Sequence, residues 1–551
     1  MRIVLGYRAS ETEKNDFFAA MMPIGLGYVA GVLGEAGHEP LLVNFTHLSW
    51  PDIRKLLARE KPGMLGLTLY TFNRHTTMKL AALCREVSPR TTIVVGGPHA
   101  SHCVETVLGH YPQIDYIVRG EGEITAVELV EVLEGHRDPM LVPGLAFRGK
   151  DGKIVQTPPR VPVSDLDTLP LPYRHYESIG VDQRAQFSYL ITSRGCPAKC
   201  TFCGTPDFWG QKIRYRSAAN IIREIRELRE RYGLLFFSVR DDTFSFNKKR
   251  VVDFCSALME AKLDILWDCQ SRVNAVDLER LQWMRRAGCE QIQYGVEHGA
   301  QPMMDLLNKG TTLEQVRRAA LATRRAGLVL SMYMITGIPG EGEAEFKETL
   351  ELVEETRPHD IIASRLGYLP GTEMYYREMR ERGTDDRFWL QDKRSGVFVR
   401  EDEQSKQFHR RLARLAAQLP EKNRYRREDY ERQRLEMGEH YARDLAAATT
   451  YETDGDVLGA ERELRELRRR EPENLWGMVR LGEFLSRRGR QADAVPLLSQ
   501  ALDRLPQLAP ARSLLGVALR GLGQERAAVR EFRQALALDP CEPMALEELA
   551  G

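Results

Sequence analysis

The stretch FSYLITSRGCPAKCTFC, residues 187–203, sets a short β-branched and aromatic run directly ahead of three cysteines, Cys196, Cys200 and Cys203. The run reads as a strand, and three thiols within eight positions read as a ligand set. Thiolates are the preferred ligands of iron–sulfur clusters, and three of them leave one iron of a four-iron cluster open to a small molecule. Structural zinc is the competing reading. It wants a fourth Cys or His at hand, whereas His175 lies 21 residues before the triplet and His298 far after it. The other six cysteines, Cys84, Cys103, Cys255, Cys269, Cys289 and Cys541, are scattered. An odd total of nine suits a metal site in a reducing compartment better than a disulfide framework.

Downstream, further runs rich in β-branched and aromatic residues fall at 234–241, 265–271, 289–295, 328–337 and 361–368, with amphipathic helical stretches between them. Six βα units over 187–371 predict a partial parallel (β/α)6 barrel with its chemistry at the C-terminal strand ends. Upstream, residues 1–135 alternate MRIVLGY, EPLLVNF, GMLGLTLY, TTIVVGG and YIVRG with helix-length segments. That is a doubly wound, Rossmann-like α/β sheet. Ligands in such sheets sit outside the carboxyl ends of the strands, here Thr68-Leu69-Tyr70, Gly96-Gly97-Pro98-His99 and Gly120-Glu121-Gly122-Glu123. Residues 136–186 read as a linker, with a hairpin near 150–153 and the proline-rich LPLPY at 169–173.

Residues 372–440 read as a charged helical extension with solvated faces. Over 441–551 a period of about 34 residues aligns Gly455, Gly489 and Gly523, then Ala460, Ala494 and Ala528, then Pro472, Pro506 and Pro540. Leu481-Gly482 and Leu515-Gly516 make a fourth column. The pattern resembles the tetratricopeptide repeat, an all-α stack with a concave binding surface; an arbitrary helical bundle is the plainer alternative.

The chain has 551 residues, enough for three or four units at roughly 100–200 residues each. Lys+Arg and Asp+Glu both number 78, so there is no basic surplus for nucleic acid. No run of about 18 apolar residues argues for a membrane span, and the N-terminus lacks a charged leader and apolar h-region; the expected location is cytoplasmic.

Over about 190–370 the sequence resembles the radical S-adenosylmethionine (SAM) superfamily, whose CxxxCxxC loop it matches letter for letter. The resemblance implies a [4Fe–4S] cluster on Cys196, Cys200 and Cys203, with SAM on the open iron. Phe202 would lie beside the adenine, and Asp241 and Asp242 would hold the methionine amino group, with a helix N-cap as their plainer role. Arg272 would meet the carboxylate, and Gln293 and Glu297 the amino-acid or ribose portion. Ile338, in GIPGE, would flank the adenine, and the LPGT turn at 369–372 would be structural. Residues 23–123 resemble the cobalamin-binding domain often fused to such barrels, which implies contacts from Gly25, Thr68, Leu69, Tyr70, Gly96, Gly97, Pro98, His99, Gly120, Glu121 and Gly122. The DxHxxG signature of the other cobalamin class is absent, since Gly6-Tyr7-Arg8-Ala9-Ser10 follows the first strand. Cobalamin without a histidine lower ligand follows. Leu69-Tyr70-Thr71 is the candidate for its lower face, and His99 a tempting ligand whose GGPHA context suits packing instead.

For this branch the resemblance implies that a 5′-deoxyadenosyl radical takes a hydrogen atom from an unactivated carbon and that methylcobalamin then supplies a methyl group. A cyclisation or rearrangement without methyl transfer is the alternative within the class. S-adenosylhomocysteine formed together with 5′-deoxyadenosine would mark the methylase, and 5′-deoxyadenosine alone the alternative. A non-catalytic cobalamin-sensing or partner-recruiting scaffold is the reading from another class. Expected partners are a small-molecule, peptide or carrier-bound substrate, an electron donor such as a flavodoxin or ferredoxin, and a protein held by the C-terminal repeats.

Overall fold

The computed structural model describes residues 1–11, 20–174, 177–391, 398–399 and 402–550; His175 lies outside them. Residues 2–156 contain strands β1 (Arg2–Tyr7), β2 (Glu39–Asn44), β3 (Met64–Thr68), β4 (Thr92–Gly96), β5 (Tyr116–Val118), β6 (Leu145–Arg148) and β7 (Ile154–Gln156). With β8 (Glu177–Ile179) they form one sheet in the order β7-β6-β5-β4-β3-β1-β2-β8. Every residue of β3 is buried, as expected for a parallel strand covered by helices on both faces.

The expected linker is more than a connection. Its hairpin, β6 and β7, extends the sheet antiparallel beyond β5, and β8 pairs parallel with β2 at the opposite edge. LPLPY packs on the first helix, Ile24–Glu35. A Cβ on Gly27 would lie 3.0 Å from Pro172 Cβ, and one on Gly31 would lie 3.0 Å from Pro170 Cγ. Those glycines let the proline stretch lie directly on the helix.

The second sheet is all parallel. Beyond β8 the chain forms β9 (Tyr189–Leu190), β10 (Ser193–Arg194), β11 (Arg214–Tyr215), β12 (Phe236–Val239), β13 (Leu266–Ser271), β14 (Cys289–Glu297), β15 (Val329–Thr336) and β16 (Asp360–Arg365). Six of these run in the order β16-β15-β14-β13-β12-β9, while β10 and β11 form a separate antiparallel pair flanking the cysteine loop. Four of the intervening helices start on side-chain caps, at Ser217, Asn247, Asp277 and Thr312, and each buries an apolar face. The cores of the two sheets meet: Ala300, Ile335, Leu366 and Tyr375 belong to the same apolar cluster as Val4, Leu65 and Ile93. Trp389, in the segment expected to be solvated, is 1% exposed and packs edge-on against His99.

Residues 441–550 are all helical, as seven helices from Tyr441–Thr453 to Pro543–Ala550 packed in succession. Gly455, Gly489 and Gly523 turn the chain at φ of +82°, +74° and +75°. Ala460, Ala494 and Ala528 are fully buried. A Cβ on Gly482 would fall 2.8 Å from Leu498, and one on Gly516 would fall 2.5 Å from the Phe532 ring. These repeated positions are where neighbouring helices approach closest. The region docks on the domain of the second sheet through Tyr441 Oη, which donates to the Ile265 carbonyl at 2.5 Å, and Arg285 Nη2, which donates to the Ala442 carbonyl at 3.1 Å. Among the described residues, no helix is long and apolar enough to cross a membrane.

Candidate active site

The cysteine loop is held at both ends by the turn after β12. Asp241, fully buried, accepts from the Thr192 and Ser193 amides at 2.6 and 2.9 Å and from their hydroxyls at 2.5 and 2.6 Å. Its neighbour Asp242 accepts from the Gly195 amide at 3.3 Å and the Thr205 hydroxyl at 2.8 Å. Gly195 is needed between them, at φ +100° with Lys212 O only 2.7 Å from where a Cβ would stand. Cys196, Cys200 and Cys203 then line one cavity of about 190 Å³ together with Phe202 and Asp242. Burial pushes the Cys196 and Cys203 thiols and the Asp242 carboxyl up from their ordinary ranges; Thr205 opposes this at Cys203 and Asp242.

Arg272, Gln293 and Glu297 line the same cavity. Arg272 Nη1 donates to Cys200 Sγ at 3.5 Å, and Nη2 donates to the Lys309 carbonyl. Glu297 sits at φ +75°, just past a register shift between Gly295 and Glu297 in the β14–β15 pairing. A non-glycine residue held there marks a site the surrounding fold over-determines. Its carboxylate pairs with Lys309 Nζ at 2.5 Å. Gly295 leaves room for that pair, since a Cβ there would fall 2.6 Å from Glu297 Oε1 and 2.7 Å from Lys309 Nζ. Sequence reading missed Lys309.

Two of the residues expected at this cavity lie outside its lining. Asp241 has both oxygens committed to Thr192 and Ser193 and does not reach the lining, so it anchors the loop. Ile338, 3% exposed, belongs to the core shared by the two sheets rather than to the cavity wall.

Across the molecule, the C-terminal ends of β3, β4 and β5 open on an apolar cavity of about 420 Å³. Gly25, Thr68, Tyr70, Gly96, Gly97 and Pro98 line it, as do Gly120, Glu121 and Gly122. Leu69 and His99 do not. Leu69 is fully buried, its amide on Gly96 O and its carbonyl accepting from the His99 amide. The His99 ring faces the core between Trp389 and the Thr71 hydroxyl, 3.1 Å away, and burial lowers its pKa to about 3, leaving a neutral packing group. Glu121 and Glu123 are also committed. Glu121 pairs with Arg214, and Glu123 accepts from Arg194 at 2.6 Å. Both ion pairs tie this loop to the strands beside the cysteines.

A third cavity, about 540 Å³, lies beside the other two and shares wall residues with each. It shares Ile24 and Tyr70 with the first and Gln270, Gln293 and Tyr333 with the cysteine cavity. Gln293 Oε1 accepts from Tyr333 Oη at 2.9 Å, and Gln270 Nε2 donates to that hydroxyl at 2.8 Å. Tyr333, Gln270 and Arg240 were not anticipated, although pairing of Gln270 with Gln293 and of Gly295 with Tyr333 places them on neighbouring strands.

The donor set suits a four-iron cluster. Three thiols line the cavity with no further Cys and no His among its lining residues, and Arg272 donates to one sulfur. Among the described residues no three His, Cys, Asp or Glu side chains converge tightly enough for a single metal ion. A cluster, being larger than an ion, takes its thiolates further apart.

Comparison with known proteins decides the family. The B12 binding domain model matches residues 17–130, and the radical SAM superfamily model matches residues 190–353. An uncharacterized methyltransferase of Pyrococcus horikoshii, PH0819, is 30% identical over 338 residues, covering 60% of this chain and 73% of that protein. The chain belongs to the radical SAM superfamily. This radical SAM protein is also 30% identical over 349 residues to the anaerobic magnesium-protoporphyrin IX monomethyl ester cyclase of Rubrivivax gelatinosus, spanning 61% of this chain and 62% of that one. Its fold matches the radical S-adenosylmethionine methyltransferase TsrM from Kitasatospora setae at TM-score 0.57 and 20% identity, over 75% of this chain and 81% of that one. It also matches the cobalamin-dependent S-adenosylmethionine radical enzyme OxsB at TM-score 0.56 and 17% identity, over 100% and 80%.

Proposed function

We propose that this radical SAM protein is a cobalamin-dependent methyltransferase acting on an unactivated carbon in the 540 Å³ chamber between its two sheets. The observation that carries the reading is the adjacency of three cavities that share wall residues: glycine-lined at the N-terminal sheet, aromatic between the sheets, thiol-lined at the second sheet. When bound, SAM on the [4Fe–4S] cluster supplies a 5′-deoxyadenosyl radical and cobalamin supplies the methyl group.

The chain's own residues hold and insulate these groups. Cys196, Cys200 and Cys203 would ligate the cluster, with the Arg272 cation against the Cys200 sulfur. Phe202 would face the adenine, Asp242 the amino group, and Glu297 with Lys309 the remaining polar portion. Gly25, Gly96, Gly97, Gly120 and Gly122 would admit the cobalamin tail, because none presents a side chain to the 420 Å³ cavity. Tyr70, at the junction of two cavities and stacked on Phe72 at 5.2 Å, would be part of the surface that holds the cobalamin. Apolar and aromatic walls keep water from a radical.

The helices of 441–550 are read as tetratricopeptide-like units, supported by the repeated Gly, Ala and Pro positions. They motivate a peptide or carrier-bound substrate or a protein partner. Likeness to the cyclase favours a second reading, carbon-radical chemistry without methyl transfer.

Anaerobic reconstitution tests the cofactor assignment. One [4Fe–4S] cluster and one cobalamin per chain are expected, and the triple Cys196→Ala, Cys200→Ala, Cys203→Ala variant should lose the cluster and keep cobalamin. A variant that retains the cluster overturns the thiol assignment.

A further inference from the structure

The chamber between the sheets has an asymmetric wall. Its N-terminal side is apolar and aromatic, with Ile24, Tyr70 and Phe72 among its residues. Its barrel side carries Tyr189, Gln270, Tyr333 and Arg240. Arg240 is the one charged residue lining the chamber among the described residues. It follows β12 directly, with its amide on the Leu190 carbonyl at 2.8 Å, so its backbone is fixed by the sheet. The guanidinium lies 5.1 Å from the centre of the Tyr189 ring and donates to Gln293 Oε1 at 3.4 Å. The carboxylate it influences, Asp268, accepts from the Ser238 hydroxyl at 2.5 Å and is not part of the lining; burial holds Asp268 above the ordinary carboxylate range.

A guanidinium stays charged at any physiological pH and offers a planar fork of donors. Placed in a chamber with otherwise neutral walls, it favours an anion and disfavours a cation. The Tyr189 and Tyr333 rings beside it offer flat apolar surface.

We propose that the substrate carries an oxyanion, carboxylate or phosphate, that Arg240 receives, attached to a flat apolar portion lying against Tyr189. This rests on the interdomain chamber being the substrate site. Arg240 then sets which end of the substrate faces the barrel, and so which carbon stands between the two cofactor cavities.

The test measures binding of matched probes to anaerobic holoenzyme by calorimetry: 2-naphthoate, 2-naphthyl phosphate and neutral 2-naphthamide. Cobalamin and cluster absorbance, and SAM affinity, are recorded on the same samples. At least one anion should bind about tenfold or more tighter than the amide, the difference expected for one charge-assisted pair. Arg240→Gln should abolish that preference and Arg240→Lys should keep much of it. Equal binding of all three probes to fully loaded protein overturns this inference and leaves the cofactor reading standing. Protein that loads neither cofactor fails that reading instead. Loss of SAM affinity in Arg240→Gln with an unchanged probe preference overturns the inference too, and assigns Arg240 to the cofactor.

Discussion

Arg194, two residues before Cys196, donates a 2.6 Å hydrogen bond to the carboxylate of Glu123, which opens the helix Glu123–Leu133 of the N-terminal domain. The guanidinium lies between the Tyr28 and Trp209 rings, at 5.1 and 4.8 Å. The loop that walls the glycine-lined cavity therefore holds the strand that leads into the cluster loop. Both partners are almost wholly buried, so the pair ties the wall of the glycine-lined cavity to the segment that carries the cysteines.

Removing Glu123 leaves the buried Arg194 only the more distant Glu121, 3.7 Å away, which already pairs with Arg214. Glu123→Ala should lower unfolding free energy by about 3 kcal/mol in urea titrations. It should also weaken cobalamin retention on gel filtration. Full stability and full cobalamin content would show that the pair does not couple the domains.

Asp241 and Asp242 are adjacent but separable. Asp241→Ala leaves the Thr192 and Ser193 amides and hydroxyls without their acceptor, so the apo chain should lose about 2–4 kcal/mol and reconstitute little cluster. Asp242→Asn can still accept from Thr205, so the apo chain should unfold near the wild-type midpoint while SAM affinity falls. Iron content, unfolding curves and equilibrium dialysis with SAM distinguish the two.

The adjacency of those aspartates shows how far the sequence could be read. The Cys spacing, the strand runs and the glycine turns are local patterns, and from them follow the sheets and the gathering of nine of the eleven named N-terminal residues around one cavity. Which carboxylate turns inward does not: Asp241 and Asp242 are the same residue type one step apart, and only the position of Thr192 and Ser193 assigns them. His99 shares its loop with cavity-lining Pro98 yet turns to Trp389, which comes from 290 residues later in the chain. Lys309 was hidden for the same reason, since its partner Glu297 is reached across a turn that only the fold specifies. The strand within the linker was not legible for a different reason: β8 is three residues long, too short for a periodic signal, and is stabilised by pairing with β2.

The repeat columns in the C-terminal helices differ in mechanism. Gly516→Ala drives a methyl into the buried Phe532 ring and should cost about 1–3 kcal/mol, lowering the helical region's melting temperature. Gly489→Ala meets open space and should cost only about 1 kcal/mol, from its positive φ. Equal effects by calorimetry would contradict the close-packing account of the first.

Stability should depend on pH at the junction of barrel and helices. Burial pushes the Asp264 carboxyl up to about 6, with Arg229 opposing. A carboxyl raised in the folded state binds more protons there than when unfolded, so stability falls as pH rises from about 4 through about 6 and stays lower above. Asp264→Asn removes this loss and suits the φ of +52° at that position. The variant should gain on the order of 2 kcal/mol over wild type at pH 8 relative to pH 4.5. A difference independent of pH would contradict the assignment.

The central claim, that SAM chemistry and methyl-carrying cobalamin work in one continuous site, is tested most directly without knowing the substrate. Reduced anaerobic holoenzyme is incubated with SAM carrying a 13C methyl group, and the small molecules are analysed by mass spectrometry. The account requires 13C-methylcobalamin and S-adenosylhomocysteine in equal amounts, with 5′-deoxyadenosine alongside. 5′-Deoxyadenosine with no labelled cobalamin would contradict methyl transfer and leave the radical chemistry of the second reading.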